Sequence, residues 1–167
     1  MNILLTGEIG IGKSTVIERV IAESGVNAGG MITKFRNRES PSRKLFISDL
    51  GREAALEAVS FSPDAPPEVE TEVFDGFGRE LVEAAGGYEL AIIDELGFFE
   101  RNALRFQKAI FELLDSPANV LGVIKPDNRG WLSGIRARED ITIITVTIDN
   151  RDEVPVRIME LLGLTPQ

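Results

Sequence analysis

Residues 7–14 read Gly7-Glu8-Ile9-Gly10-Ile11-Gly12-Lys13-Ser14, an ungapped G-x-x-x-x-G-K-[ST] run. This feature constrains the fold because the motif works in one local setting, with a buried strand running into it and a helix opening out of it. Both are predicted here. Residues 3–6 form a short apolar run, suited to a buried parallel strand. Val16, Ile17, Val20 and Ile21 recur at helical spacing, and Gly25 can end that helix. In such a turn the glycines let successive backbone amides face an anion, and the helix N-terminus adds the positive end of its dipole. Gly7, Glu8, Ile9, Gly10, Ile11, Gly12, Lys13, Ser14 and Thr15 are therefore candidate contacts to the phosphates of a nucleotide. Lys13 is expected to reach the β- and γ-phosphates, and the Ser14 hydroxyl to ligate magnesium.

Beyond the loop, strands and helices alternate. Gly29 to Lys34 and Leu45 to Asp49 read as two strands around a basic turn, a β-hairpin near 29–49. Residues 62–70 carry Pro63, Pro66 and Pro67 among acids and are expected to be a loop. A helix is expected over 73–85, a strand at 90–93, a helix near 100–115, a strand near 119–124 and a short helix near 129–137. The β-branched run 141–148 reads as a strand. A last helix near 151–162 puts Val154, Ile158, Leu161 and Leu162 on one side and ends at Gly163. The alternation predicts an α/β fold in three layers: a mainly parallel central sheet of about five strands, with helices on both faces. At 167 residues, 1–167 is expected to be a single domain.

Leu90-Ala91-Ile92-Ile93 ends in Asp94-Glu95. After a phosphate loop, an Asp at the end of a second buried strand is the expected magnesium residue, and the adjacent Glu can polarise the attacking group. Asp94 and Ser14 are thus the candidate metal ligands, and Glu95 the candidate general base. The paired acids resemble the phosphate-loop division that includes recombinases and motor ATPases, a resemblance that implies a further strand, here 119–124, between the two site strands. Its end would then deliver Lys125 near the γ-phosphate, to stabilise charge there; the alternative is an exposed loop lysine. Arg101 and Arg105 are weaker candidates for the same task.

Cysteine and histidine are both absent, so thiol and imidazole chemistry are excluded and any metal must take oxygen ligands, which favours Mg2+ over zinc. The net charge of −9 argues against broad nucleic-acid binding. One segment runs the other way. Lys34, Arg36, Arg38, Arg43 and Lys44 place five of the 18 basic residues between 34 and 44, with one acid, and leave a net of −13 elsewhere. It reads either as a solvated hairpin tip or as a site for an anionic second substrate. No signal peptide and no membrane-spanning run are expected, which points to the cytoplasm.

Several further segments resemble the small phosphate-loop nucleoside-triphosphatases first described from thermophiles, a family that includes the human cancer-related nucleoside-triphosphatase. Gly29-Gly30-Met31-Ile32-Thr33 resembles the family's glycine-glycine-aromatic segment, and Asp94-Glu95-Leu96-Gly97 its acidic signature. Leu114-Asp115-Ser116-Pro117, Ile135-Arg136-Ala137-Arg138 and Asn150-Arg151-Asp152 are similar too. The resemblance implies slow, magnesium-dependent hydrolysis of ATP, GTP and other nucleoside triphosphates. It supports the roles of Lys13, Ser14, Asp94 and Glu95, and suggests that Asn150 and Arg151 lie near the nucleobase; otherwise they are a helix cap and a surface charge. The chain departs from the family at Phe98-Phe99, where a lysine is usual, and at Lys125-Pro126-Asp127-Asn128-Arg129.

Two other functions fit the same loop: a small-molecule or nucleotide kinase, and a nucleotide-dependent switch or accessory protein. The latter could present Phe98-Phe99 to a protein partner, although phenylalanines more often belong to a core.

Overall fold

A computed structural model describes residues 1–52 and 54–167. Eight strands form one sheet in the order β5-β4-β3-β2-β6-β7-β1-β8. They are β1 (Asn2–Thr6), β2 (Ala28–Arg36), β3 (Lys44–Asp49), β4 (Ala55–Ser62), β5 (Ala65–Val69), β6 (Leu90–Leu96), β7 (Val120–Ile124) and β8 (Ile141–Thr145). The pairs β2–β6, β6–β7, β7–β1 and β1–β8 are all parallel. A mainly parallel sheet is therefore present, with five strands in parallel, and β7 does lie between the loop-bearing β1 and the acidic β6. The sheet itself has eight strands rather than about five, because the expected hairpin β2–β3 continues into antiparallel β4 and β5.

Residues 62–70 are thus not simply a loop. Most of them form β5, at the sheet edge, where Val59 pairs with Val69 and Ser60 with Glu68. Adjacent prolines point their nitrogens to opposite sides of a strand, so the open edge accommodates one of Pro66 and Pro67 and the register shift between Ser60 and Ser62 the other. Along β1 the side chains alternate: Leu4 enters one core, while Ile3 and Leu5 enter the other. Helices α1 (Lys13–Ser24) and α6 (Val154–Leu162) cover the second face. On the first face lie α3 (Arg79–Ala85), α4 (Leu104–Asp115) and α5 (Trp131–Arg136).

Local details refine the expected elements. The helix expected over 73–85 starts earlier, with α2 (Thr71–Val73), and passes through a π-turn, Phe74–Gly78, before α3. That turn aims buried Asp75 at α4, where its Oδ1 accepts from the Phe106 amide at 2.9 Å, satisfying a donor of the first helical turn. The strand expected to run to residue 148 ends at Thr145, and Ile148 is exposed. The last helix begins at Val154 and buries Val154, Pro155, Ile158 and Met159, whereas Leu161 is exposed. Gly30 has φ +141°, and a Cβ there would collide with the Ile92 carbonyl, so glycine is required for β2 to run this close to β6. Among the described residues, no helix is long and apolar enough to cross a membrane.

Candidate active site

The site lies at the carboxyl ends of the parallel strands, where loops from neighbouring strands converge. Thr6 at the end of β1 leads into the loop 7–14, and Lys13 opens α1. Gly7, Gly10 and Gly12 have φ of +138°, +79° and +108°. At Gly7 a side chain is excluded twice over, by this backbone angle and because a Cβ would lie 2.6 Å from the Val146 carbonyl oxygen. The Lys13 ammonium donates to the carbonyls of Gly7 at 2.8 Å and Glu8 at 2.7 Å, so it arches back over its own loop. Burial lowers its pKa from the ordinary lysine value, against the opposing pull of Glu95 and Asp94. Glu8, Ile9, Gly10, Ser14 and Thr15 are exposed along the mouth of the cleft.

β6 brings Asp94 and Glu95 to face this loop. Asp94 is buried, and burial pushes its pKa up to about 6, although a hydrogen bond from the Ser14 hydroxyl works against that rise. Ser14 and Asp94 line the same cleft, and a hydroxyl with a carboxylate offers a hard, all-oxygen donor pair, the chemistry that suits Mg2+. Glu95 is half-buried, and β7 places the Lys125 ammonium 3.4 Å from its Oε1. A cleft of about 550 Å3 connects these parts: Gly10, Gly12, Lys13, Ser14 and Thr15 on one side, Asp94, Glu95 and Lys125 on the other.

The loop after β7 is held from α5. The Arg136 guanidinium donates to the Lys125 carbonyl, to the Asp127 carbonyl at 3.0 Å and to the Thr6 hydroxyl at 3.3 Å. One side chain thereby ties the end of β1 to the segment carrying Lys125. Arg136 lies in a segment read above only as a family resemblance, and nothing in its spacing marks this contact.

Arg151 is exposed and borders a separate depression of about 310 Å3, with Gly10, Gly12, Thr15 and Arg19. The Asn150 side chain is engaged within its own turn, accepting from the Thr147 amide at 2.8 Å and donating to the Thr145 carbonyl at 2.9 Å. Arg101 and Arg105 are exposed; Arg101 reaches back to the Phe98 carbonyl, and Arg105 lies 3.9–4.0 Å from Asp75 and Glu72. Neither lines the cleft.

The far wall was legible only as a basic segment. Arg38 and Arg43, from the turn between β2 and β3, line the cleft together with Phe35, Phe61 and Phe99. Phe98 and Phe99 are half-buried and pack on the core, as phenylalanines more often do. Glu100 is buried, with only a sliver of surface on the cleft; burial pushes its carboxyl up to about 7, while it accepts from the Gly97 amide at 3.1 Å.

With this geometry in view, a sequence model of the NTPase family matches residues 2–159. The nucleoside-triphosphatase THEP1 of Thermofilum pendens is 35% identical, over 94% of this chain and 92% of that protein. The protein of the same name from Methanosarcina acetivorans is 31% identical, over 95% and 94%. The crystal structure of THEP1 from the hyperthermophile Aquifex aeolicus superposes with a TM-score of 0.78 at 23% identity, covering 97% of this chain and 99% of that one. The solution structure of a human cancer-related nucleoside triphosphatase gives 0.77 at 22% identity, covering 96% of both chains. The phosphate-loop α/β architecture read from the sequence is the architecture of these two structures, and the chain belongs to the NTPase family, alongside the THEP1 nucleoside-triphosphatases.

Proposed function

We propose that the protein hydrolyses nucleoside triphosphates, ATP and GTP among them, to the diphosphate and inorganic phosphate, with Mg2+. The observation that carries this reading is Glu95: a half-buried carboxylate beside Asp94, across the cleft from Lys13 and Ser14 and in contact with Lys125. A carboxylate so placed can orient a water and accept its proton as the water attacks the γ-phosphorus.

The loop amides and Lys13 hold the phosphates. Lys13 leaves the Gly7 and Glu8 carbonyls for phosphate oxygens, exchanging two neutral acceptors for charged ones. Ser14 and Asp94 would hold Mg2+, which supplies charge neutralisation on the phosphates. Lys125 stabilises negative charge as it develops. The exposed Arg151, beside the start of α1, offers a flat cation on which any base can stack without being read, in keeping with broad base tolerance. Asn150 contributes by holding the turn that presents Arg151.

Product analysis with γ-labelled ATP tests this reading. Label released as inorganic phosphate with no acceptor added, and lost on chelation of Mg2+, is the expected result. Intact ATP in that assay, with label moving only after a metabolite is supplied, rules hydrolysis out as the activity.

A further inference from the structure

Beyond Asp94 and Glu95, on the side away from Thr15 and Arg151, the cleft continues into a chamber of about 270 Å3. Its walls are Thr33, Phe35, Arg38, Leu45, Phe99 and Glu100; Phe35, Arg38 and Phe99, with Ser14, Asp94, Glu95 and Lys125, also line the triphosphate cleft, and Arg43 and Phe61 line that cleft where the two spaces meet. A single attacking water occupies only about 30 Å3 of liquid volume, so hydrolysis alone needs no such space.

The wall at the junction of chamber and cleft has a definite chemistry. Phe61 lies between two other rings, 5.7 Å from Phe35 and 5.7 Å from Phe99 by ring centroids. The Arg43 guanidinium sits 4.2 Å from the Phe61 centroid and 5.7 Å from that of Phe35, while Arg38 is 5.9 Å from Phe35. Stacking of this kind engages a guanidinium's face and leaves its N–H edge to bind an anion. Neighbouring Lys44 is paired with Glu57 at 2.8 Å, whereas among the described residues Arg38 and Arg43 have no carboxylate within salt-bridge reach. Where the chamber opens into the cleft, an aromatic wall with two uncommitted guanidinium groups, Arg38 lining both spaces and Arg43 the cleft, matches a ligand that combines a flat ring and an anion. The chain's net charge of −9 disfavours a polynucleotide as the source of that ligand.

We infer that this chamber is a second substrate site, for a small aromatic phosphomonoester of the nucleoside monophosphate class. The inference rests on the reading above, since it takes the γ-phosphate to lie between Lys13 and Glu95. A monophosphate held by Arg38, with Arg43 beside it where the two spaces meet, then faces that γ-phosphate from the side the water would use. If transfer follows, a bond forms between a monophosphate oxygen and the γ-phosphorus while the bond from that phosphorus to the β–γ bridging oxygen breaks. The diphosphate leaves with the electron pair, and no proton moves, because the acceptor phosphate is a dianion.

The test is calorimetric titration of AMP into protein first saturated with magnesium and a non-hydrolysable ATP analogue, alongside steady-state hydrolysis of ATP with added AMP. One AMP is expected to bind per chain, at least tenfold more weakly in Arg38→Ala and in Phe99→Leu. AMP is expected to lower kcat for phosphate release without raising KM for ATP, and label from γ-labelled GTP appearing in ADP would support the same site. Absence of AMP binding at 10-millimolar levels, unchanged affinity in both variants, or a rise in KM alone would overturn the inference. Binding of the ATP analogue is measured first. Its failure counts against the triphosphate reading, whereas its success without AMP binding removes only the second site.

Discussion

The Lys125 ammonium lies 3.4 Å from Glu95 Oε1, joining the ends of two adjacent parallel strands across the mouth of the cleft. Both groups are about two-thirds buried, so the pair is partly shielded from solvent screening. In the proposed mechanism their proximity would give Lys125 two uses: to hold the carboxylate in place, and to supply positive charge beside the γ-phosphate. Lys125→Met is expected to reduce kcat by roughly 10- to 1000-fold, with a much smaller change in KM for ATP. Steady-state kinetics decides the matter; an unchanged kcat would make Lys125 a loop lysine with no part in turnover.

Arg136 acts on this pair from behind, through the Lys125 and Asp127 carbonyls. Arg136→Ala is expected to lower kcat because the Lys125 segment loses its anchor, and Arg136→Lys to restore part of it. Removing three hydrogen bonds also costs stability, on the order of 2–3 kcal/mol. The diagnostic readout is therefore a combined one. In Arg136→Ala the further effect of Lys125→Met should shrink, as expected for two residues acting through one position. Fully additive losses in the double variant would show that Arg136 serves only the fold.

Glu100 links the site to pH-dependent stability. Its folded-state pKa of about 7 stands above the ordinary glutamate value of 4.5, so the folded chain holds a proton that the unfolded chain releases. The sign follows: the contribution of this group is fully present below pH 4.5 and is lost as pH rises through 7. The size is on the order of 3 kcal/mol at pH 8. Glu100→Gln keeps an acceptor for the Gly97 amide and cannot ionise. Its Tm should exceed that of the parent at pH 8, with the gap closing toward pH 4.5. Parallel Tm curves across this range would show that Glu100 ionises freely in the fold.

The parts of the fold that rest on local spacing were legible in the sequence. Loop 7–14, the apolar run into Asp94-Glu95 and the β-branched run at 141 each declare themselves over a few residues. The place of β7 between β6 and β1 followed from the resemblance of the paired acids to the phosphate-loop division of recombinases and motor ATPases. Residues 62–70 were misread because prolines signal a loop unless the strand lies at an edge, and edge status depends on the whole sheet. The chamber was hidden for a related reason. Phe35, Phe61 and Phe99 come from β2, β4 and the turn after β6, and only the antiparallel extension of the sheet brings them together. Glu100 carries no mark in sequence of being buried, since an isolated acid early in a helical segment normally faces water.

The central claim is that Glu95 orients the hydrolytic water while the loop 7–14 holds the phosphates, and Glu95→Gln separates the two. Binding of ATP with Mg2+ by the variant, followed by calorimetry, should remain within a few-fold of the parent. Phosphate release from γ-labelled ATP by the same preparation should fall at least about a hundredfold. Undiminished phosphate release from a variant that still binds ATP would contradict the account.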